Sequence, residues 1–414
     1  LHFASRWGQE GAVTALLKAG AVYDLRNNDN HTPLEVAADG IGENTAAVRE
    51  GVRKAFYTTE KRLKTLILYH PECMQHKPRS ASDWECPDRL PAVMGALKDP
   101  RLFRPYELEV TSDFDRATVE SLTRVHSAEY IKFVHNLSKT LEKQGAGASA
   151  VPFTPMVQKT LLRKASAEVK PNELCDTSFS SGSLIAARRA AGAVIAAVEA
   201  VVNGKHRNAF CAVRPPGHHA GPNGLLEEAV SCGFCIFNNV AVGALHALEV
   251  MRLERVAVVD IDVHHGNGTE EIAKAYHDPS RLLFYSVHLF EKEGSYEFFP
   301  GSGAEDDTRV SRGTRSKAST ATTQSQHALS GRFAFREAVG QRLIPALRAF
   351  NPSLILLSSG FDAADADVGN AKHDKHSHKG ADLMPEDYAW ITEKVQGVAD
   401  LCCNGKIVSV LEGG

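Results

Sequence analysis

The sequence predicts an α/β fold in which parallel strands alternate with helices, and three short apolar runs carry this prediction. Residues 256–261 and 354–357 are rich in valine, isoleucine and leucine, and residues 282–287 form a third apolar run. Uninterrupted runs of this kind are typical of parallel strands that are buried on both faces. A polar loop and a helical pattern follow each run, which is the alternation that α/β proteins share.

One long helix and one irregular stretch complete this outline. The alanine-rich segment 181–202 contains no proline and ends shortly before Gly204, so it predicts a long helix. Residues 308–330 are rich in serine, threonine, arginine and glutamine and show no periodicity. We therefore expect a disordered insertion over residues 308–330.

Length and composition limit the classes of protein to be considered. A chain of 414 residues exceeds the usual size of one domain and predicts one large domain with a small appendage. The formal net charge of −3 offers no basic surface for direct nucleic-acid binding. No apolar run reaches the roughly 18 residues that a membrane-spanning helix needs. The eight cysteines are scattered, which is typical of reduced thiols in an intracellular protein.

The first 40 residues contain an internal repeat. The tetrapeptide that begins at Leu1 recurs at Leu34 as Leu-Glu-Val-Ala, 33 residues later and preceded by Thr-Pro. Residues 11–21 between them have a helical pattern that ends at Gly20. This period and pattern resemble the ankyrin repeat, which implies docking of scaffold or corepressor proteins. The alternative is a structural cap on the following domain. Because one repeat cannot bury its own face, we expect further repeats before Leu1. Residues 41–65 are predicted to form a helical linker.

Four segments place reactive residue types at the ends of apolar runs. In open α/β sheets a site lies beyond the carboxyl ends of the strands, which is where these segments are expected. The segments are Arg-Pro-Pro-Gly-His-His at 214–219, Gly-Phe-Cys at 233–235, Asp-Ile-Asp-Val-His-His-Gly-Asn-Gly at 260–268 and Ser-Gly-Phe-Asp at 359–362.

Three residues in these segments suit a catalytic metal. Asp262 and His264 are two positions apart where a strand ends, so both side chains can point to one side, and Asp362 follows another strand. Two carboxylates and one imidazole leave a fourth position open, as catalytic zinc sites require. Because this ligand set is rich in oxygen, ferrous iron is a second candidate.

Seven motifs, taken together, closely resemble the zinc-dependent histone deacetylases. They are the four segments above with Val-His-Ser-Ala-Glu-Tyr at 125–130, Phe-Phe-Pro-Gly-Ser-Gly at 298–303 and Leu-Glu-Gly-Gly at 411–414. The resemblance covers residues 66–414, and Asn267 resembles the class II branch of the family. It implies an arginase-like fold with a central, mostly parallel eight-stranded sheet and helices on both faces.

The resemblance also assigns roles to individual residues. Asp262, His264 and Asp362 would bind zinc, and His218 and His219 would be the tandem histidines beside it. Asp260 would orient His218, and Asn267 would orient His219. A carboxylate favours a charged imidazole far more than an amide does, so we expect a cationic His218 and a neutral His219. Phe234 and Phe299 would form the walls of a tunnel, and Asp176 would be the acid at its rim that binds the substrate backbone. The backbone around Asp260, Asp262 and His264, with Ser286, would form a structural potassium site.

The implied function is hydrolysis of N6-acetyl-lysine in histones or other proteins, in the nucleus or the cytoplasm, as a chromatin and transcription regulator. An acetylpolyamine amidohydrolase and a weakly active acyl-lysine-binding scaffold are the alternatives.

The family continues its Glu-Gly-Gly motif with a Tyr, or in one subclass a His, that stabilises the oxyanion. The sequence ends at Gly414, so we expect a catalytic domain that is truncated at its C-terminus, and the nature of that residue stays open.

Overall fold

The computed structural model describes residues 1–42, 45–79, 84–145, 149–163, 176–224, 231–290, 292–293, 296–303, 321–323, 331–370 and 380–414. Its helices are α1 His2–Arg6, α2 Glu10–Lys18, α3 Thr45–Thr59, α4 Arg89–Lys98, α5 Val119–Thr123, α6 Ala128–Lys143, α7 Pro155–Arg163, α8 Ser183–Val202, α9 Asn239–Leu245, α10 Asn267–Ala275, α11 Gly331–Ala338, α12 Ile344–Phe350 and α13 Pro385–Cys403. Its strands are β1 Thr65–Tyr69, β2 Leu108–Thr111, β3 Val151–Pro152, β4 Ser178–Phe179, β5 Asn208–Ala212, β6 Val256–Asp260, β7 Leu282–Val287, β8 Lys292–Glu293, β9 Tyr296–Glu297, β10 Ala321–Thr323, β11 Leu354–Ser359 and β12 Ile407–Leu411. Within the described residues, no helix is long and apolar enough to cross a bilayer.

The central sheet has the strand order β10-β7-β6-β11-β12-β5-β1-β2, and every neighbouring pair in it is parallel. Seven of its strands have four to six residues, whereas β10 at the edge has three. Counted without that edge segment, the sheet has seven strands rather than the eight that the resemblance predicts. The predicted α/β class with a parallel sheet is confirmed.

Strand residues alternate between two hydrophobic cores, one on each face of the sheet. Val256 and Val258 of β6 contribute to the core that α8 and α9 cover. Ala257 and Val259 contribute to the core that α11, α12 and α13 cover. Because both faces are buried, most strand positions are apolar, which explains the apolar runs in the sequence.

Residues 308–330 differ in part from the sequence-based expectation. Ala321–Thr323 form β10, which pairs with Tyr285–Val287 of β7. Two β-branched threonines suit a strand, although three residues are too few to produce a periodic signal. The other residues of the predicted insertion lie outside the described part of the chain.

The N-terminal segment forms a small helical unit with its own core. Helices α1 and α2 are followed by a loop and a series of turns, and α2 packs against α3. Val13, Tyr23, Ala37, Val52 and Phe56 are buried together in this unit. Helix α3 and the 3-10 turn Lys61–Leu63 occupy the predicted linker and lead directly into β1.

Candidate active site

The site lies where four neighbouring strands end. Strands β6, β11, β12 and β5 are adjacent in the sheet, and the loops that follow them carry the motifs singled out in the sequence. Asp260 is the last residue of β6, and its Oδ1 accepts a hydrogen bond from the backbone N–H of Asp262 at 3.1 Å. That bond turns the chain so that Asp262 and His264 both face the end of β11.

Asp262, His264 and Asp362 form a cluster that can hold a metal ion. One ligand atom from each lies within 4.8 Å of the other two. Nδ1 of His264 is 3.1 Å from Oδ1 of Asp262 and 3.1 Å from Oδ2 of Asp362. Both carboxylates are buried, at 1% and 5% exposure. Burial and the charge of Asp262 raise the pKa of Asp362 to about 6. Two adjacent buried carboxylates with an imidazole between them are stabilised by a divalent cation, so the donor set fits one.

Two glycines allow the backbone to approach these ligands. A Cβ at Gly360 would lie 2.1 Å from Oδ2 of Asp262, and a Cβ at Gly413 would lie 2.5 Å from Oδ2 of Asp362. The N–H of Gly413 donates to Oδ2 of Asp262 at 3.1 Å. A side chain at either glycine of the Ser-Gly-Phe-Asp and Glu-Gly-Gly motifs would therefore collide with the candidate metal ligands.

His218 is held next to buried negative charge. Its Nδ1–H donates to Oδ2 of Asp260 at 2.9 Å, and its Nε2 lies 3.7 Å from Oδ2 of Asp262. Burial opposes the charged ring, but the carboxylates of Asp262, Asp260 and Glu412 raise the pKa of His218 well above its usual value. The geometry therefore favours an imidazolium at this position, in agreement with the expectation from its carboxylate partner.

His219 has the opposite electrostatic environment. Its Nδ1–H donates to Oδ1 of Asn267 at 2.6 Å, which leaves Nε2 of the neutral ring without a proton. Burial and the charged rings of His218 and His264 lower the pKa of His219 well below its usual value. The two ring centroids of His218 and His219 are only 3.9 Å apart. This pair of histidines thus places a charged ring beside a neutral one that can accept a proton.

Glu412 supports the tandem histidines and was not predicted to have a role. Its Oε2 accepts from the N–H of Gly217 at 2.7 Å and of His218 at 3.2 Å, and its Oε1 accepts from Ser358 Oγ at 2.9 Å. Burial raises the pKa of Glu412 to about 7. A glutamate directly after an apolar strand was the available signal, because such a position predicts a buried carboxylate with partners.

Arg214 is a second residue whose role the sequence did not indicate. The side chain is fully buried and forms a bidentate ion pair with Glu85, at 2.6 and 2.7 Å. It also donates to the backbone carbonyls of Cys73 at 3.0 Å and His76 at 2.6 Å. Arg214 thereby fixes the start of the loop that carries both histidines to the region between β1 and α4. Its partner lies 129 positions away in sequence, so no local pattern could reveal the pair.

The three candidate metal ligands line a cavity of about 240 Å³. Phe234 and Phe299, the predicted walls, line this cavity together with the predicted rim residue Asp176. The ring of Phe299 meets His219 edge-on at 5.0 Å. The ring of Phe298, to which the sequence assigned no role, lies parallel to His264 at 5.2 Å. The cavity thus combines aromatic sides with a polar, charged foot.

The structure brings all ten predicted site residues to this one region. Eight of them line the cavity, namely Asp176, His218, His219, Phe234, Asp262, His264, Phe299 and Asp362, and Asp260 and Asn267 lie behind the two histidines. Their individual roles stay predictions. Ser286, predicted near a potassium ion, is buried beside β6 and has its Oγ 2.8 Å from Nδ1 of His288.

Comparison with known proteins places this geometry in a family. The histone deacetylase domain model matches residues 83–414. Type-2 histone deacetylase 2 of Dictyostelium discoideum is 34% identical over 86% of this chain and 20% of its own length. Histone deacetylase HDA1 of Candida albicans is 30% identical over 98% of this chain and 45% of its own length. Polyamine deacetylase HDAC10 of Rattus norvegicus is 31% identical over 84% of this chain and 49% of its own length.

The chain therefore spans less than half of the length of each of these relatives. Among solved structures, the crystal structure of the HDA15 HD domain matches with a TM-score of 0.66 and 28% identity, over 85% of this chain and 84% of that one. The match between a family model and four-fifths of the sequence agrees with the cluster of ligands and histidines at the strand ends. This chain belongs to the histone deacetylase domain family.

Proposed function

We propose that this protein hydrolyses the amide of N6-acetyl-lysine in proteins, giving free lysine and acetate, with zinc as its cofactor. One observation carries the proposal. A neutral histidine with a free Nε2 lies beside a three-ligand metal cluster at the foot of an aromatic cavity. These are the groups that hydrolysis of an unactivated amide requires, namely a proton acceptor, a Lewis-acid site and a shaped binding site.

Asp262, His264 and Asp362 would hold the zinc ion. When bound there, zinc supplies Lewis-acid activation of water and of the acyl carbonyl. Ferrous iron also suits two carboxylates and one imidazole, so the identity of the metal is part of the proposal. A structural potassium ion would bind the backbone around Asp260, Asp262 and His264 with Ser286. The buried end of β6 beside β7, where Asp260 is in register with Ser286, supports this placement.

The two histidines would divide the proton transfers between them. His219 Nε2 accepts the proton of the attacking water and then donates it to the departing lysine nitrogen, which is otherwise a poor leaving group. His218 keeps its proton because Asp260 and Asp262 stabilise the charged ring, and it contributes positive charge near the acyl oxygen. Opposite partners, Asp260 for one ring and Asn267 for the other, support this division.

The cavity suits the side chain of acetyl-lysine. Phe234 and Phe299 offer apolar sides for the four-carbon stem, and acetylation removes the charge of the nitrogen at its end. Asp176 is exposed at the rim, where its carboxylate can accept hydrogen bonds from the backbone N–H groups of a peptide. A histone tail or another acetylated protein segment is therefore the proposed substrate.

Loss of acetyl groups from acetylated histone tail peptides, followed by mass spectrometry, tests the proposal. Metal analysis should find about one equivalent of zinc per chain, because one three-ligand cluster is present among the described residues. The double variant Asp262→Ala, Asp362→Ala should lose both the metal and the activity. The matched control is Asp113→Ala, an exposed aspartate that does not line the cavity. Retention of zinc by the double variant would show that the ligand assignment is wrong.

An acetylpolyamine is the second candidate substrate. The similarity to a polyamine deacetylase supports it, as does Asp367, a further carboxylate that lines the cavity and would attract a cationic chain. Parallel assays with N8-acetylspermidine and an acetylated peptide separate the two. A scaffold that binds acyl-lysine without turnover would bind the peptide and release no acetate.

The residue that follows Gly414 should affect the rate of hydrolysis. A protein with Tyr at that position should be faster than one with His, since a tyrosine hydroxyl would stabilise the oxyanion.

The N-terminal unit is proposed to be an ankyrin-type repeat that docks scaffold or corepressor proteins. Its helix pair, loop and following turns support this, and Nε2 of His2 in the first tetrapeptide lies 3.0 Å from the carbonyl of His31, three residues before the second tetrapeptide. A role in chromatin regulation and a nuclear or cytoplasmic location are further parts of the proposal. Pull-down with and without residues 1–40 and imaging of the tagged protein test them.

A further inference from the structure

The carboxylate of Asp176 at the rim is held by two neighbouring hydroxyl groups. Thr177 Oγ1 donates to its Oδ1 at 2.8 Å, and Ser231 Oγ donates to its Oδ2. A hydrogen bond to an ionised carboxylate is about twice as strong as one between neutral groups. Both oxygens of an exposed carboxylate that lines the cavity are thus fixed in direction, and each can still accept a further hydrogen bond.

The same two hydroxyls also bind the backbone of the cavity wall. Thr177 Oγ1 accepts from the N–H of Phe234 at 2.8 Å, and Ser231 Oγ accepts from the N–H of Gly233 at 2.9 Å. Each hydroxyl therefore accepts a hydrogen bond from a backbone N–H and donates one to the carboxylate of Asp176. Because such chains polarise each other, the four bonds form one cooperative unit between rim and wall.

The turn held in this way has an unfavourable backbone conformation. Phe234 has φ of +65° and Gly233 has φ of +52°. A bulky residue with positive φ is rare and persists only where the surroundings fix it. The turn also touches the proposed base, because a Cβ on Gly233 would lie 2.2 Å from Cδ2 of His219. Its position therefore sets both the width of the cavity and the packing of His219.

We propose that Thr177 and Ser231 are positioning residues that couple the rim carboxylate of Asp176 to the cavity wall at Phe234. They act through the residues they hold, namely Asp176, Gly233 and Phe234. Substrate that engages Asp176 thereby also tightens the turn that lines the cavity. The part of this inference that concerns catalysis rests on the proposed deacetylase function.

Kinetics with two substrates test the catalytic part. Thr177→Val keeps the shape of the side chain and removes both hydrogen bonds, and Thr177→Ser restores the hydroxyl. For an acetylated peptide, Thr177→Val should raise KM roughly tenfold, the size expected from loss of one hydrogen bond to a charged group. For N6-acetyl-lysine amide, which lacks flanking peptide bonds, the KM should change far less and the loss should fall on kcat through Phe234. Thr177→Ser should restore both values.

A double-mutant cycle shows whether Thr177 acts through Asp176. In an Asp176→Ala background, Thr177→Val should no longer change the KM for the peptide. The control Thr118→Val removes a hydroxyl that also accepts a backbone N–H, from Ser121 at 3.1 Å, in a helix cap that does not line the cavity. It should leave both substrates unaffected. Equal effects of Thr177→Val in the presence and absence of Asp176 would overturn the coupling.

Hydrogen exchange at the peptide that spans residues 231–237 gives a readout without turnover. Thr177→Val and Ser231→Ala should each increase exchange there, whereas Thr118→Val should not. Unchanged exchange in both variants would refute the proposal, whatever the activity. If both variants show increased exchange but the wild-type protein releases no acetate from either substrate, the positioning role is upheld and the deacetylase function is rejected instead.

Discussion

Replacement of Asn267 by aspartate tests the assignment of His219 as the base. The side chain of Asn267 lies 2.6 Å from Nδ1 of His219, so Asn267→Asp places a full negative charge at hydrogen-bonding distance. A carboxylate this close raises the pKa of an imidazole by about 1–3 units. His218, whose Nδ1 is 2.9 Å from the carboxylate of Asp260, shows the consequence within the same site, because its pKa is raised well above the usual value although the ring is buried.

The sign and size of the effect follow from which form of His219 is active. The base must be neutral, so a raised pKa leaves less of the active form at any pH below the new value. The acid limb of the profile of kcat/KM against pH should move upward by the same amount, about 1–3 units, with activity on that limb falling about tenfold per unit. Well above the new pKa the two proteins should converge.

The assay is the pH profile of kcat/KM with one acetylated peptide, measured at a fixed zinc concentration. The control is Asn267→Ala, which removes the hydrogen-bond acceptor without adding charge. It should lower the rate through loss of ring orientation but leave the acid limb at or below its original position. If Asn267→Asp leaves the limb where it was, the titrating group is not His219 and the assignment of the base is wrong.

Three further predictions concern the surroundings of the site. Glu85→Ala removes the ion-pair partner of the buried Arg214 and should lower the free energy of unfolding by about 3–5 kcal/mol in urea denaturation. The control Asp400→Ala removes the partner of Arg207 in an exposed ion pair and should lower it by under about 1 kcal/mol. Hydrogen bonds from Arg116 and Arg189 lower the pKa of Glu72 to about 2, so its stabilisation is complete above the unfolded pKa near 4.5 and is lost as the pH falls through 2. Glu72→Gln should therefore destabilise by about 2 kcal/mol at neutral pH and by far less near pH 2; an equal loss at both pH values would contradict this. Gly233→Ala should reduce kcat with zinc still bound, because its Cβ would displace the ring of His219; unchanged kcat would show that the turn is free to adjust.

The strands could be predicted because their environment is uniform. Strands β6, β7 and β11 coincide closely with the apolar runs at 256–261, 282–287 and 354–357, since burial on both faces favours apolar residues at most positions. The helix predicted over 181–202 is α8, Ser183–Val202. The order of the strands was not derivable in this way. Strand β12 lies between β11 and β5, and no local pattern specifies a partner about 200 residues away.

The residues of the candidate metal site were predictable because they lie close together in sequence. Asp260, Asp262 and His264 lie within five positions of each other, so their spacing alone places them at one strand end. The residues that support them are distant in sequence. Glu412 reaches Gly217 across 195 positions, and Thr177 reaches Phe234 across 57. A serine or threonine next to a motif is also common on any surface, so neither Thr177 nor Ser231 carried a distinctive signal.

Buried charge is shared by the candidate metal ligands and the residues that support them. Four carboxylates, of Asp260, Asp262, Asp362 and Glu412, are buried within one site, and the described residues offset them with the rings of His218 and His264. Burial raises the pKa of Asp260, Asp362 and Glu412, which means that charge is held there at a cost. A divalent cation at Asp262, His264 and Asp362 removes most of that cost and leaves His218 as the remaining positive group. The buried carboxylates that cost stability without a metal would therefore favour binding of one, and the neutral His219 beside them is the proposed proton carrier.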